Sequence, residues 1–294
     1  MVNIKLLKLI FILLSFIGTH ACATGSGSYS HLGNNGKKFT SASKMSSKDW
    51  NNPQELERVW QASFIRIPLA DGGVLKSTIA DLIPKQIDNA KKYPTVVYMH
   101  GCSGFWSGTM HRIDFLAQNG FAVIAPPSFA RKRYPKSCDI NLVQGGLYRD
   151  TIKMRQNDAG YAIKHAKDLP WVDKNNVFLM GLSEGGITTA TFYAKDESKS
   201  VNARVVEGWT CTSTWDEYSG VRAPKTEPVL TLLGDKDPWF QNPYTNGECT
   251  RFLNEKNGSK SIVYRKGNLS YRHELLEDDM VKKSVIHFLQ QHLK

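Results

Sequence analysis

The stretch 181–185, Gly-Leu-Ser-Glu-Gly, places a serine between closely spaced glycines at the end of the apolar run 177–180. Gly-x-Ser-x-Gly between a strand and helix-compatible residues is typical of a sharp turn that exposes the serine hydroxyl. The glycines remove Cβ clashes that so tight a turn would otherwise meet. We therefore predict that Ser183 is a nucleophile and that the helix after it directs N–H groups at an anionic intermediate.

A serine hydroxyl is a weak nucleophile at neutral pH, so it requires a base within hydrogen-bond reach and an acid that orients the base. After such a turn, the acid and the histidine follow in that order, on loops beyond later strands. The apolar run 229–233 leads into Asp235 and Asp237, and the run 261–265 leads into a loop with His273. The two later histidines fall in the predicted C-terminal helix, so His273 is the predicted base. We favour Asp237 as the acid, because a proline stiffens the turn after it, and Asp235 is the alternative.

A tetrahedral oxyanion requires N–H donors at the site where negative charge develops. One predicted donor is the backbone N–H of Glu184, directly after the serine. The other is the N–H of Cys102, in the turn 100–102 that ends the β-branched run 93–99. His100 is expected to orient this turn rather than to transfer protons.

Alternating strands and helices predict one doubly wound α/β domain over residues 50–294, with a mostly parallel sheet. Residues 63–69 and 74–83 flank an Asp-Gly-Gly turn and predict an N-terminal antiparallel hairpin. Further strands are predicted at 93–101, 121–125, 177–180, 203–208, 229–234 and 261–265, with helices at 111–119, 147–169 and 277–293.

The N-terminus has the layout of a bacterial export signal, predicted over residues 1–22, with two lysines before an apolar stretch. Two alternatives stay open: cleavage after Ala23, or lipidation of Cys22 with attachment to a membrane. Residues 23–49, rich in serine and glycine, are the predicted flexible tether. We expect a periplasmic, envelope-anchored or secreted protein.

The four cysteines beyond the leader predict disulfides that tie neighbouring loops above one sheet edge. We favour the pairs Cys102–Cys138 and Cys211–Cys249, and four free thiols are the alternative. Because no Cys-x-x-Cys spacing occurs, a structural zinc site is not expected. No cofactor is predicted.

The formal net charge is +11, which is compatible with an anionic envelope surface or an acidic substrate. The basic residues are scattered along the chain rather than arranged in a stripe. We therefore do not expect nucleic acid as a partner.

Four motifs together resemble the dienelactone hydrolase family of the α/β-hydrolases over about residues 60–290. They are Tyr-Met-His-Gly-Cys-Ser-Gly at 98–104, the serine turn, Gly-Asp-Lys-Asp-Pro at 234–238, and His273. The resemblance implies the α/β-hydrolase fold, with Ser183 as nucleophile, Asp237 as acid and His273 as base. Founding members of the family use a cysteine nucleophile, so Ser183 implies a general esterase.

The expected function is an exported serine hydrolase that cleaves a small-molecule ester through an acyl-enzyme. Two alternatives are a catalytically silent scaffold that binds an envelope glycan, lipid or protein, and an acyltransferase. Aromatic residues in the loops above the sheet are expected to line an apolar pocket; they are Phe105, Trp106, Trp209, Trp215, Tyr218 and Trp239.

Overall fold

The computed structural model describes residues 38–88 and 90–294, in which an eight-stranded sheet is the largest element. In chain order the strands are β1 (Phe64–Pro68), β2 (Val74–Thr78), β3 (Tyr93–Met99), β4 (Ala122–Ala125), β5 (Cys138–Asp139), β6 (Gln144–Gly145), β7 (Val172–Leu182), β8 (Arg204–Glu207), β9 (Val229–Gly234) and β10 (Lys260–Tyr264). β5 and β6 pair with each other outside the large sheet. Residues 138–146, which contain this pair, are called the flap below.

The large sheet has the strand order β10-β9-β8-β7-β3-β4-β1-β2. The six strands from β10 to β4 are parallel, whereas β1 pairs antiparallel with both β4 and β2. The predicted α/β fold with a mostly parallel sheet is confirmed. Because parallel strands end at the same edge, the loops after β3, β7, β8, β9 and β10 meet there.

Helices cover both faces of the sheet in the described part of the chain. They are α1 (Ser47–Trp50), α2 (Pro53–Gln61), α3 (Ser107–Gln118), α4 (Thr151–Lys167), α5 (Glu184–Thr191) and α6 (Asp279–Gln291). Successive side chains of a strand point to opposite faces. Val96 and Tyr98 of β3 belong to the apolar cluster that includes α3 and α6, whereas Val97 and Met99 belong to the cluster that includes α2 and α4. None of these helices has the length and apolar character needed to cross a bilayer.

Residues 38–49, which the sequence assigns to the flexible tether, lie against the domain. Phe39 packs in a cluster with Phe129 and Tyr134, and its ring centroid is 6.0 Å from that of Phe129. The few apolar side chains of this segment therefore attach it to the domain. The predicted leader and Cys22 lie outside the described residues.

Candidate active site

The serine turn lies between β7 and α5. β7 ends at Leu182 and α5 begins at Glu184, so Ser183 forms the turn alone. Its φ of 58° and ψ of −121° lie outside the regions that residues with a Cβ normally occupy. The N–H of Ser183 donates to the carbonyl oxygen of Glu207 at 2.9 Å, which joins the turn to β8. The structure thus has the strand, strained turn and helix expected around Ser183.

Asp237 and His273 are in direct contact. Asp237 is fully buried, and its Oδ2 lies 2.6 Å from His273 Nδ1, while its Oδ1 accepts the N–H of Trp239 at 3.0 Å. Since a carboxylate accepts hydrogen bonds, Nδ1 carries the imidazole proton and Nε2 retains a lone pair. Of the two candidate acids, Asp237 is the one that bonds to His273, whereas the backbone N–H of Asp235 donates to Tyr264 at 3.1 Å.

A buried ion pair anchors the loop that carries His273. Glu207 accepts hydrogen bonds from Arg112 Nε at 3.1 Å and Nη2 at 2.9 Å, and from the backbone N–H groups of Leu275 at 2.7 Å and Leu276 at 2.8 Å. These bonds fix the loop directly after His273. Neither partner of the ion pair is among the residues predicted from sequence. In the sequence, the signal for this anchoring role is a glutamate at the end of an apolar strand.

The end of β8 brings the histidine loop next to the serine turn. Gly208 has a φ of 62°, and a Cβ at this position would lie 2.8 Å from the carbonyl oxygen of His273. Glu207, one residue earlier, accepts the N–H of Ser183. The sheet thereby carries Ser183, Asp237 and His273 to one edge.

The turn after β3 is held by the neutral imidazole of His100. The backbone N–H of Ser128 donates to His100 Nε2 at 3.1 Å, so the proton is on Nδ1, which donates to the carbonyl oxygen of Gly101 at 2.6 Å. Burial, followed by the positive charge of Arg155, holds the pKa of His100 well below its usual value. His100 therefore orients the turn in its neutral form. The turn also lies close to the nucleophile, since a Cβ on Gly101 would be 3.6 Å from the Cβ of Ser183.

A cavity of about 370 Å³ opens at this edge of the sheet. Ser183 borders it together with both predicted oxyanion donors, Cys102 and Glu184. Its other walls are the flap and the loops after β8 and β9. The predicted nucleophile and the two donor residues therefore share one cavity.

Aromatic side chains form much of the cavity wall. Those present are Trp209, Trp215, Tyr218, Trp239, Phe240 and Tyr244, of which the last two are not among the predicted residues. Trp239 also stacks on the imidazole of His273 with ring centroids 5.3 Å apart. Two predicted residues do not border the cavity. Phe105 packs on Phe64 in the core, with ring centroids 4.6 Å apart. Trp106 is 39% exposed, and its ring lies against Gly108.

The two disulfides have the expected pairing, Cys102–Cys138 and Cys211–Cys249. The first joins the turn after β3 to the flap. The second joins the loop after β8, which carries Trp209, to the loop after β9. Each disulfide therefore holds a different wall of the cavity. In the part of the chain that the structure covers, no cluster of histidine, cysteine and acidic residues has a metal-binding arrangement.

Comparison with known proteins agrees with this architecture. The model of the dienelactone hydrolase family matches residues 82–265, which is more than half of the chain. No curated protein matches significantly. A putative dienelactone hydrolase from Klebsiella pneumoniae is 19% identical, with a TM-score of 0.51 over 68% of this chain and 88% of that one. A dienelactone hydrolase-like promiscuous phosphotriesterase from metagenomic libraries is 17% identical, with a TM-score of 0.50 over 79% of this chain and 100% of that one. The chain therefore belongs to the dienelactone hydrolase family and has its α/β-hydrolase fold.

Proposed function

We propose that this chain is an exported serine hydrolase that cleaves carboxylic esters with Ser183, His273 and Asp237. The observation that carries the proposal is the 2.6 Å contact between His273 Nδ1 and buried Asp237, at the sheet edge where Ser183 forms its strained turn. A carboxylate-oriented imidazole at the same sheet edge as a partly exposed serine supplies the groups that nucleophilic acyl transfer requires. Membership of a hydrolase family supports the same reaction class.

In the proposed mechanism, the Ser183 oxygen attacks the ester carbonyl while His273 Nε2 takes the proton of the Ser183 hydroxyl. The negative oxygen of the tetrahedral intermediate is bound by the N–H groups of Glu184 and Cys102. Collapse expels the alcohol, which receives the proton from His273, and leaves an acyl-enzyme. His273 then takes a proton from water as the water oxygen attacks the acyl-enzyme, and it gives this proton to the Ser183 oxygen as the acid is released.

The cavity favours a small ester with an apolar or aromatic group. Its tryptophan, tyrosine and phenylalanine side chains offer the flat apolar walls that bind such groups. Hydroxyl side chains in its wall, including those of Ser213 and Thr214, can fix the orientation of the ester. We propose this class of ester rather than the dienelactones of the family's founding members, which use a cysteine nucleophile.

Export is part of the proposal. Two disulfides are compatible with an oxidising compartment. The leader at 1–22, and attachment through a lipid on Cys22, stay predictions from the sequence. Mass spectrometry of the mature N-terminus separates cleavage after Ala23 from lipidation of Cys22.

Replacement of the nucleophile tests the activity. Ser183→Ala should lower the kcat for p-nitrophenyl acetate by about a thousandfold or more, since His273 and Asp237 have no nucleophile to activate. Ser284→Ala, on the distant helix α6, is the matched control and should keep normal turnover. Unchanged hydrolysis by Ser183→Ala contradicts the proposal. Failure of a fluorophosphonate probe to label Ser183 would favour the silent scaffold.

A further inference from the structure

A buried arginine lies behind the serine turn and makes contacts that the proposed mechanism has not used. Arg155, on α4, is completely buried. Its Nη2 donates to the backbone carbonyl oxygen of His100, and its Nη1 donates to Oε2 of Glu184 at 3.3 Å. A single guanidinium thus joins the turn after β3 to the first residue of α5.

Those two contacts lead directly to the two proposed oxyanion donors. The carbonyl of His100 is in the same tight turn as the N–H of Cys102, and Glu184 supplies the other N–H. We infer that Arg155 is a positioning residue that fixes the spacing of the two oxyanion donors. The inference rests on the proposed function, because the donors act only if Ser183 forms a tetrahedral intermediate.

The Glu184 side chain extends this link to the flap. Its Oε2 also accepts the hydroxyl of Ser137 at 2.9 Å. Ser137 precedes Cys138, whose disulfide returns to Cys102. The contacts therefore close a ring from Arg155 through Glu184 and the flap to the turn after β3. A ring of this kind restricts the motion of both donors together.

The electrostatics of this ring depend on Arg155. Burial raises the pKa of Glu184, while Arg155 and then Ser137 act in the opposite direction. Loss of the guanidinium would thus favour protonation of Glu184 and weaken its link to the flap. A lysine keeps the charge, but its compact ammonium group does not reproduce the rigid planar fork that donates in two directions at once.

The first test compares Arg155→Lys with the wild type on p-nitrophenyl acetate. We expect kcat to fall by about tenfold to a hundredfold, because small displacements of oxyanion donors weaken transition-state binding strongly. The KM should change by less than about twofold, since the donors bind the transition state rather than the ground state. A loss confined to KM, or an unchanged kcat, contradicts the inference.

The second test measures oxyanion binding without turnover. Ser183 should attack a trifluoromethyl ketone and form a tetrahedral adduct whose negative oxygen occupies the oxyanion hole. Arg155→Lys should weaken this inhibitor by the same factor as kcat. Glu184→Gln removes the charge from the same link but keeps an oxygen that can accept hydrogen bonds, so it should produce a smaller loss. This variant provides the measurement if Arg155→Lys does not fold. Wild-type affinity in the folded variant contradicts the inference.

Arg204→Lys is the matched control for the effect of burial. Arg204 is equally buried, and its Nε donates to Glu227 at 2.8 Å and its Nη1 to Thr189 at 2.9 Å. It begins β8 and so lies at the opposite edge of the sheet. This variant should lose stability but keep kcat and inhibitor affinity. If it loses both as Arg155→Lys does, the effect is general destabilisation and the inference is wrong. A wild-type chain that neither turns over the ester nor binds the ketone overturns the proposed function itself.

Discussion

At the scale of single residues, the contact between Asp237 and His273 makes the clearest prediction. Asp237→Asn should lower kcat by about 10³- to 10⁴-fold with little change in KM, because an amide does not hold the imidazole in the required tautomer. Steady-state kinetics on p-nitrophenyl acetate measure both constants.

Asp235→Asn is the matched control for that prediction. Asp235 lies in the same turn, but its backbone N–H donates to Tyr264 and its carboxylate does not bond to His273. Its replacement should change kcat by less than about threefold, because its carboxylate makes no contact with the imidazole that it would have to orient. The reverse result, with Asp235→Asn inactive and Asp237→Asn active, would assign the acid to the other residue.

Residues proposed to act directly were easier to predict from the sequence than a residue proposed to act through others. Ser183, Asp237 and His273 each follow a recognisable strand, and their chain order restricts the choice. Arg155 has no such signal, because it lies in a helix where arginine is usually exposed. Its partners are 29 and 55 residues away in sequence. Only the folded chain brings these charges together.

At the scale of elements, the turn between β7 and α5 requires glycine for a reason of space. A Cβ at Gly185 would lie 2.0 Å from the carbonyl oxygen of Met99 on β3. Gly185→Ala should therefore force apart α5 and β3, and lower the free energy of unfolding by about 3 kcal/mol or more. Urea denaturation monitored by tryptophan fluorescence measures the loss.

Gly145→Ala is the control for the glycine prediction. Within the flap, a Cβ at Gly145 meets nothing within 4 Å. This substitution should change the free energy of unfolding by less than about 1 kcal/mol in either direction. Equal stability of the two variants would show that the serine turn tolerates the displacement of α5.

The predicted elements differ from the observed ones where the sequence has no apolar pattern. β7 begins at Val172, whereas the sequence predicts its start at 177. The apolar pattern that marks a strand is missing over 173–176, since these residues are polar and three of them are partly or fully exposed. The sequence predicts no strand or helix over the flap. Its strands have two residues each, too few to produce a visible alternation. Yet the flap forms one wall of the cavity, so the site could be predicted only in part.

At the scale of the whole molecule, the residues with strained backbone and the two disulfides lie around one cavity. Among the described residues other than glycine, positive φ occurs at Val143, Ser183 and Cys211. Val143 and Ser183 border the cavity, and Cys211 lies in the wall segment 209–215. Strained backbone persists only where surrounding structure enforces it. At Cys211 its own disulfide to Cys249 provides such a constraint, and at Ser183 the hydrogen bond from its N–H to the carbonyl oxygen of Glu207 does.

This arrangement predicts that the two disulfides contribute similarly to stability and differently to catalysis. They link residues 36 and 38 positions apart, so loop-closure entropy assigns each about 4 kcal/mol of stability.

The kinetic effects of the two disulfides should differ. Cys102→Ala with Cys138→Ala should also lower kcat, because it releases a proposed oxyanion donor and the flap together. Cys211→Ala with Cys249→Ala should raise KM more than it lowers kcat, because it loosens the wall that contains Trp209. Urea denaturation and steady-state kinetics on both double variants measure these effects. A reductant added to the wild type should combine both losses, and equal kinetic effects in the two variants would contradict the assignment of separate walls to the two disulfides.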